Sequence, residues 1–352
     1  LKDGATAAIY GSKAANGVVL ITTKSGKKGD LKIDVTSITG YKSLVGDLPV
    51  ANSNERLDYV RTRDNRAPDN LTGEERDSLG LLNRNSHDLQ KLVTRPGIRQ
   101  QTNVALSGGG DKGTFYWNTG FLQEEGIVIN SGYKRLNTLL RIDANISKKL
   151  RAGTRVNLSF EDRNGIRESD IFTQIVARIP NFPLYEPNGN FTPTIAGRRN
   201  PLAAAELNTV RDRRWRTQVF SYLEWDIIKN VKIKSTLGVN VSQRTRNDFI
   251  PSLTQNNPTN PPTGVLRTNN DNDIQQENFI NYKNTWGNHD FSAFAGMQAQ
   301  RWNLEYFEIG GQFVSGDIAT FNNADPLNIA IDRDTGTQKH NLFSLFGGVN
   351  YD

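Results

Sequence analysis

Apolar and polar residues alternate one for one along much of the chain, the pattern of strands whose two faces meet different surroundings. From Leu31 to Tyr41 one face carries Leu31, Ile33, Val35 and Tyr41, and the other Lys32, Asp34, Thr36 and then Lys42. Leu136, Leu140, Ile142 and Ile146 oppose Asn137, Arg141, Asp143 and Asn145 in the same way, and Thr154, Val156, Leu158 and Phe160 oppose Arg155, Asn157 and Ser159. Further on, Val231, Ile233, Leu237, Val239 and Val241 oppose Lys232, Lys234, Thr236, Asn240 and Ser242. The alternation predicts about ten strands, at 31–44, 99–107, 114–123, 135–147, 151–162, 215–226, 231–243, 274–286, 290–303 and 339–351. Most reach the roughly 9–11 residues that a tilted strand needs to cross a bilayer's hydrocarbon core, whereas strands of soluble domains have about 5 or 6.

The connections alternate between tight and extended. SGGGDKG at 107–113, SKKL at 147–150, IIKN at 227–230 and GNH at 287–289 are tight, while 45–98, 124–134, 163–214, 244–273 and 304–338 are long. Short turns therefore gather at one rim and long loops at the other, as in an outer-membrane β-barrel; a soluble sandwich has no reason to sort its loops so. Inside the long segments, Ser53 ahead of NERLDYVR and the pair Thr72 and Glu75 predict capped helices. DIFTQIVARI predicts an amphipathic helix that stops before Pro180, and 251–273 an exposed loop.

Composition narrows the class. Hydrophobic residues are 36% of the 352, and no apolar run approaches the roughly 18–20 residues of a membrane-crossing helix. A strand facing lipid on one side needs apolar residues only at alternate positions, so a membrane barrel stays compatible with that composition. Cysteine is absent, which removes disulfides and thiolate metal sites. His87, His289 and His340 lie far apart without ligand spacing and read as turn or surface residues, so neither metal nor cofactor is expected. The net charge of +6 is spread thinly along the chain, as suits a charged lumen and loop bases better than nucleic-acid binding.

Chemistry-bearing motifs are few. Gly108, Gly110 and Gly113 have a dinucleotide-like spacing, but TFYWNTGFL after them reads as a strand, so a glycine hairpin turn is the better reading. Asp332, Asp334 and Gly336, and Asp271 with Asp273, lack the closing glutamate of a calcium loop and read as solvated turns. Glu124 and Glu125 are adjacent and point opposite ways in a strand, with no partner carboxylate; nothing reads as a catalytic residue. Phe182, Tyr185 and Phe191, with Trp215 at a strand start, are candidates for stacking on a sugar or peptide. Packing within the loop, or an interfacial aromatic belt, is the alternative.

The first residues, LKDGATAAIYGSKAANGVVLITTKSG, resemble the closing motif of a TonB-dependent transporter plug. The combination of Asp3, Ala8, Tyr10, Gly11, Ala14, Ala15, Asn16 and Gly17 resembles the SusC/RagA family in particular. Physically, Asp3 can cap a short helical stretch ending at Gly11, and Gly17 turns the chain into a strand from Val18 to Lys24. SGGGDKGTFYWNTGFLQEEGIVINSGYKRLNTLLRID and NPLAAAE at 200–206 resemble later parts of the same family.

The resemblance implies a mainly β protein: a plug inside a closed antiparallel barrel of about 22 strands, with 1–29 ending the plug and 30–352 starting the transmembrane barrel. The long loops 45–98, 163–214, 244–273 and 304–338 would be extracellular, and the chain would be cut short at both ends. The implied activity is TonB-dependent import of bulky nutrients, glycans or oligopeptides, across the outer membrane of a Gram-negative, Bacteroidota-like cell, with no enzymatic step. The implied partners are TonB, acting on a segment upstream, a SusD-like surface lipoprotein, and outer-membrane lipid. Asp3, Tyr10, Gly11, Asn16 and Gly17 would anchor the plug's last strand, and Arg141, Arg155, Lys232 and Lys234 would face the lumen. A siderophore or vitamin receptor, and a soluble all-β carbohydrate-binding protein, are the alternatives.

Overall fold

The structure is a computed structural model that describes residues 23–64, 86–165, 168–194, 198–315 and 324–351. Asp3, Tyr10, Gly11, Asn16 and Gly17, and the Thr72 and Glu75 capping pair, lie outside the described residues. The strands are β1 (Gly29–Lys42), β2 (Gly97–Gly110), β3 (Gly113–Glu125), β4 (Gly132–Asn145), β5 (Leu150–Gly165), β6 (Thr209–Ile228), β7 (Val231–Ile250), β8 (Thr263–Trp286), β9 (His289–Phe313) and β10 (Ala324–Tyr351). They form one antiparallel sheet in chain order, each strand hydrogen-bonded only to its neighbours in sequence. Tight turns join β2 to β3, β4 to β5, β6 to β7 and β8 to β9. Two of these turns need the left-handed backbone region that few residues enter, and they place Asn230 (φ 70°) and Gly287 (φ 61°) there.

Register carries the two faces unbroken across the sheet. Leu136 pairs with Phe160, Phe160 with Trp215, Val219 with Val239 and Val239 with Ile274. Nearly all the large apolar strand residues that remain exposed lie on this one face, among them Ile33, Val35, Phe121, Leu140, Leu158, Leu237, Ile280, Phe343 and Leu345. Ile38 and Phe220 sit on the opposite, polar face, while Gln276 and Asn278 interrupt the apolar one. No second sheet or helical layer covers the apolar face among the described residues. A sheet in water cannot leave such a band bare, whereas lipid solvates it without another protein layer.

The later strands run further than the alternation implies. Residues 209–214, 244–250, 263–273, 304–313 and 324–338 extend β6 to β10 rather than forming loop. The reason is physical: on β8 and β9 the outward residues there include Thr268, Asn270, Asn272, Asn303 and Glu305. Where both faces are polar, the period-two signal disappears although the backbone ladder continues. Asp271, Asp273 and Asp334 are accordingly strand residues, not solvated turns.

The buried apolar core is not in the sheet but at the long-loop rim. Helices α1 (Ser53–Asp64), α2 (Leu89–Val93), α3 (Glu168–Ala177) and α4 (Pro201–Leu207) lie in these connections. Asn52, not Ser53, caps α1: its side chain accepts from the Asn54 and Glu55 amides (2.9 and 3.0 Å), and Glu55 accepts from the Asn52 amide in return (2.9 Å). The amphipathic helix reading of DIFTQIVARI holds for α3, whose Ile171 and Ile175 are buried with Ile179, Phe182, Leu184, Leu89, Val93, Val128 and Leu202. Three separate connections thus share one small core.

If the apolar face meets lipid, Leu140→Phe leaves the folded protein as stable as wild type, since no packed layer resists the larger ring. Leu140→Arg, in contrast, costs about 2–4 kcal/mol near the bilayer midplane. Equilibrium unfolding of the full-length protein in lipid vesicles checks both, and a destabilising Leu140→Phe would mean a packed second layer.

Candidate functional site on the polar face

Arg141, Arg155, Lys232 and Lys234 all project from the face opposite the apolar band, because Arg141 pairs with Arg155, Arg155 with Phe220, and Glu224 with Lys234. The side chains there reach across strands. Asp143, Gly153 and Tyr222 stand opposite one another in a single row. With no side chain at Gly153, the Tyr222 ring lies over it, and the hydroxyl donates to Asp143 Oδ1 (2.8 Å), which Arg141 also holds through its Nε (2.7 Å to Oδ2). In another row Phe279 and Phe346 close over Gly296, ring centroids 5.3 Å apart. Glu224 is shared by Arg151 and Lys232, the latter at 3.1 Å, and Lys234 lies 5.8 Å from the centre of the Tyr222 ring.

Arg155 links this wall to the segment that precedes β1. Its guanidinium lies over Phe220 (5.5 Å) and donates to Thr23 Oγ1 (3.4 Å). Around that contact is a hollow of about 600 Å³, lined by the side-chain amides of Asn137, Asn157, Gln218, Asn240 and Gln275 together with Asp273, Glu277 and apolar residues such as Leu139.

Nearer the long-loop rim the wall becomes strongly charged. A hollow of about 870 Å³ is lined by Tyr41, Lys42, Glu124, Tyr133, Arg163 and Arg214, among others. Lys42 and Arg99 both pair with Glu124. Arg244 holds Asp212 through Nε and Nη2, while Arg246 and Arg267 share Asp248, and Arg267 also holds Glu308 (2.6 Å). Above this wall, Arg56 and Arg178 in the loop layer have guanidinium pKa values held below the ordinary arginine value, by burial first and then by the neighbouring Arg198 charge.

The aromatic candidates separate into distinct environments. Phe182 is buried in the loop core, with no surface left for a ligand. Tyr185 stacks on Phe191 (5.1 Å) across a small bridge in the same loop, and Tyr185 keeps half its surface. Trp215 projects from the apolar face and packs on Phe160 (4.4 Å), so it is turned away from the polar wall. His340 is a mid-strand residue stacked on Trp302 (5.2 Å), and His289 stacks on Tyr351. Among the described residues no group of histidine, aspartate and glutamate side chains is arranged to hold a metal ion.

Two features went unread in the sequence. One is the arginine-rich band on β6–β8; its residues lie where alternation had already faded, so they read as loop. The other is Asn200, fully buried, whose Oδ1 caps α4 at the Leu202 and Ala203 amides (3.1 and 3.2 Å). Its Nδ2 donates to the carbonyls of Leu184 (2.7 Å) and Thr192 (3.2 Å), tying the helix to the preceding loop. The Asn-Pro pair at 200–201 was the available signal.

No family model matches the chain. Along its whole length the chain is 39% identical to TonB-dependent receptor P39 of Formosa agariphila and 23% identical to TonB-dependent receptor SusC of Bacteroides thetaiotaomicron, covering 34% and 36% of those proteins. The chain therefore spans about a third of the length of the curated relatives it matches. Among solved structures it superposes over its full length on 44% of a chain in the structure of the RagAB peptide transporter, with a TM-score of 0.81 at 19% identity. That likeness shows the fold: the ten strands are a stretch of such a barrel wall.

Replacing Asn200 by alanine leaves the α4 amides uncapped and takes a donor from the carbonyls of Thr192 and Leu184, the latter keeping the Thr192 amide (3.0 Å), a cost of about 1–3 kcal/mol. Hydrogen exchange of the full-length protein should show lost protection across 182–206 while β3 to β5 stay protected. Asn200→Asp, which keeps the cap and loses the donors, should fall between the two.

Proposed function

We propose that the whole protein, as a member of the SusC/RagA-type TonB-dependent receptors, imports bulky nutrients, glycans or oligopeptides, across the outer membrane. The carrying observation is a single sheet with one bare apolar face and one polar, hollowed face that Thr23 approaches. A wall of this kind suits a barrel that meets acyl chains outside and a plug inside. Residues 1–29 are then the end of the plug and 30–352 the start of the barrel, with the long-loop rim extracellular and the tight turns periplasmic.

In this reading Arg155 is a point where wall and plug meet, and the segment containing Asp3, Tyr10, Gly11, Asn16 and Gly17 anchors the plug's last strand. TonB pulls on the plug from upstream, energised by the inner-membrane proton gradient, and no covalent bond in the cargo changes. A SusD-like lipoprotein over the loop rim captures cargo. The two-component peptide transporter that the fold resembles supports a partner of this kind, and the loop layer with its own core offers it a firm base. Arg141, Lys232 and Lys234 face the lumen, and Tyr185 with Phe191 stands at the rim where cargo enters.

Deleting tonB, or collapsing the proton gradient with an uncoupler, should abolish uptake of the cargo while leaving surface binding of that cargo intact. Recovery of the full-length protein as a soluble species without detergent, or uptake indifferent to TonB, would overturn the reading.

A further inference from the structure

The polar face beneath the loop rim carries more guanidinium groups than its own carboxylates occupy. Arg214 and Arg244 are directly opposed across β6 and β7, and Arg246 and Arg267 across β7 and β8. Like charges at directly opposed positions destabilise a sheet, so repeating the arrangement in adjacent rows needs another source of stabilisation. The carboxylates supply part of it. Arg244 commits Nε and Nη2 to Asp212, Arg246 commits Nε to Asp248, and Arg267 commits Nε to Glu308 and Nη1 to Asp248. A guanidinium has five N–H donors in a planar fork, so each of these keeps donors free. Arg214 stands opposite Glu161 across β5 and β6 but makes no ion pair with it, and its Nε is buried without a hydrogen bond.

These arginines border open space. Arg244, Arg246, Arg267 and Asn269 line a hollow of about 310 Å³, and Arg244 also borders, with Arg163 and Arg214, the hollow of about 870 Å³. The band stands clear of the place where Thr23 meets the wall. Arg155 faces Phe220, which is paired with Gly238, and Arg244 lies six residues further along β7, about 20 Å toward the loop rim. The loop layer on the same rim adds Arg56, Arg178, Arg198 and Arg199. Below the band, the hollow around Arg155 is lined largely by the side-chain amides of Asn137, Asn157, Gln218, Asn240 and Gln275, with the carboxylates of Asp273 and Glu277 beside them. Amides both donate and accept, which matches hydroxyl groups, and the guanidinium fork matches carboxylate and sulfate.

We propose that the arginine band of β6–β8 takes the carboxylate or sulfate groups of an acidic oligosaccharide, and that the amide-lined wall below it takes the sugar hydroxyls. The assignment rests on the import reading and names the class of its cargo. The test uses the purified full-length protein in detergent, where binding needs no TonB, with calorimetric titration of four probes: an oligogalacturonate, a sulfated chondroitin oligosaccharide, a malto-oligosaccharide of matched length, and an oligoglutamate peptide. The acidic sugars should bind with an affinity that falls as salt rises, and the neutral sugar about tenfold or more weaker. Arg214→Gln combined with Arg246→Gln should weaken the acidic sugars about tenfold or more and leave the neutral one unchanged. Should the double variant fail to reach the outer membrane, Arg214→Lys keeps the charge, loses the fork, and should lower acidic-sugar affinity in the same direction.

Equal binding of acidic and neutral sugars, tighter binding of oligoglutamate than of either acidic sugar, or no loss in a folded variant overturns the assignment. Uptake in cells with and without TonB separates the two readings. Acidic sugar that binds through the band but enters without TonB overturns import and leaves the band's role standing. TonB-dependent uptake of a neutral cargo that is indifferent to the arginine substitutions does the reverse.

Discussion

A sheet one layer thick has to satisfy every backbone N–H and C=O through the strands on either side, and the rest of this protein follows from that. Each of β2 to β9 pairs along its length with both sequence neighbours, so side chains carry no burden of hydrogen-bonding the backbone. They are free to be sorted by solvent alone. Because successive residues point to opposite faces, a slip of one position would turn Leu140 and Leu158 onto the polar face and Arg141 and Arg155 onto the apolar one. Register is thus held by the contrast between two solvents rather than by a packed core.

The same economy explains where a core does occur. Loops cannot use a ladder, so connections as long as these must bury apolar residues and satisfy their backbone groups by local devices. The shared cluster around Val93, Val128, Ile175 and Phe182 does the first, drawing on three connections at once. Asn200, the Asn52 cap and the Thr194 amide bonded to the Leu253 carbonyl (3.2 Å) do the second. The rim becomes a folded layer in place of independent flaps, with arginines and paired aromatics presented in fixed positions.

On the polar wall, ion pairing and open hydrogen-bonding capacity reside in the same residues. Ion pairs such as Arg244 with Asp212 hold side chains in place against the entropy of long, flexible stems, yet bidentate engagement of one edge of a guanidinium leaves its other donors available. Glycines at 153 and 296 serve a related end, letting a tyrosine or phenylalanine lie flat along the wall where a β-carbon would push it away.

The sequence by itself determined the class of fold, the order of the strands, the sorting of tight and long connections, and the face to which Arg141, Arg155, Lys232 and Lys234 belong. All of these are local: a period of two records two solvents, and a tight turn records a hairpin. What it left hidden depended on distance. The rim-side ends of β6 to β10 looked like loop because polar residues on both faces erase the alternation while the ladder continues. Trp215 and Phe182 looked alike as aromatic residues of one region, but strand parity turned the first toward the apolar surroundings and convergence of three loops buried the second. The opposition of Arg214 to Arg244 and of Arg246 to Arg267 exists only once the strands are paired in register, since residues separated by some 20–30 positions become neighbours through backbone hydrogen bonds that no single strand can specify.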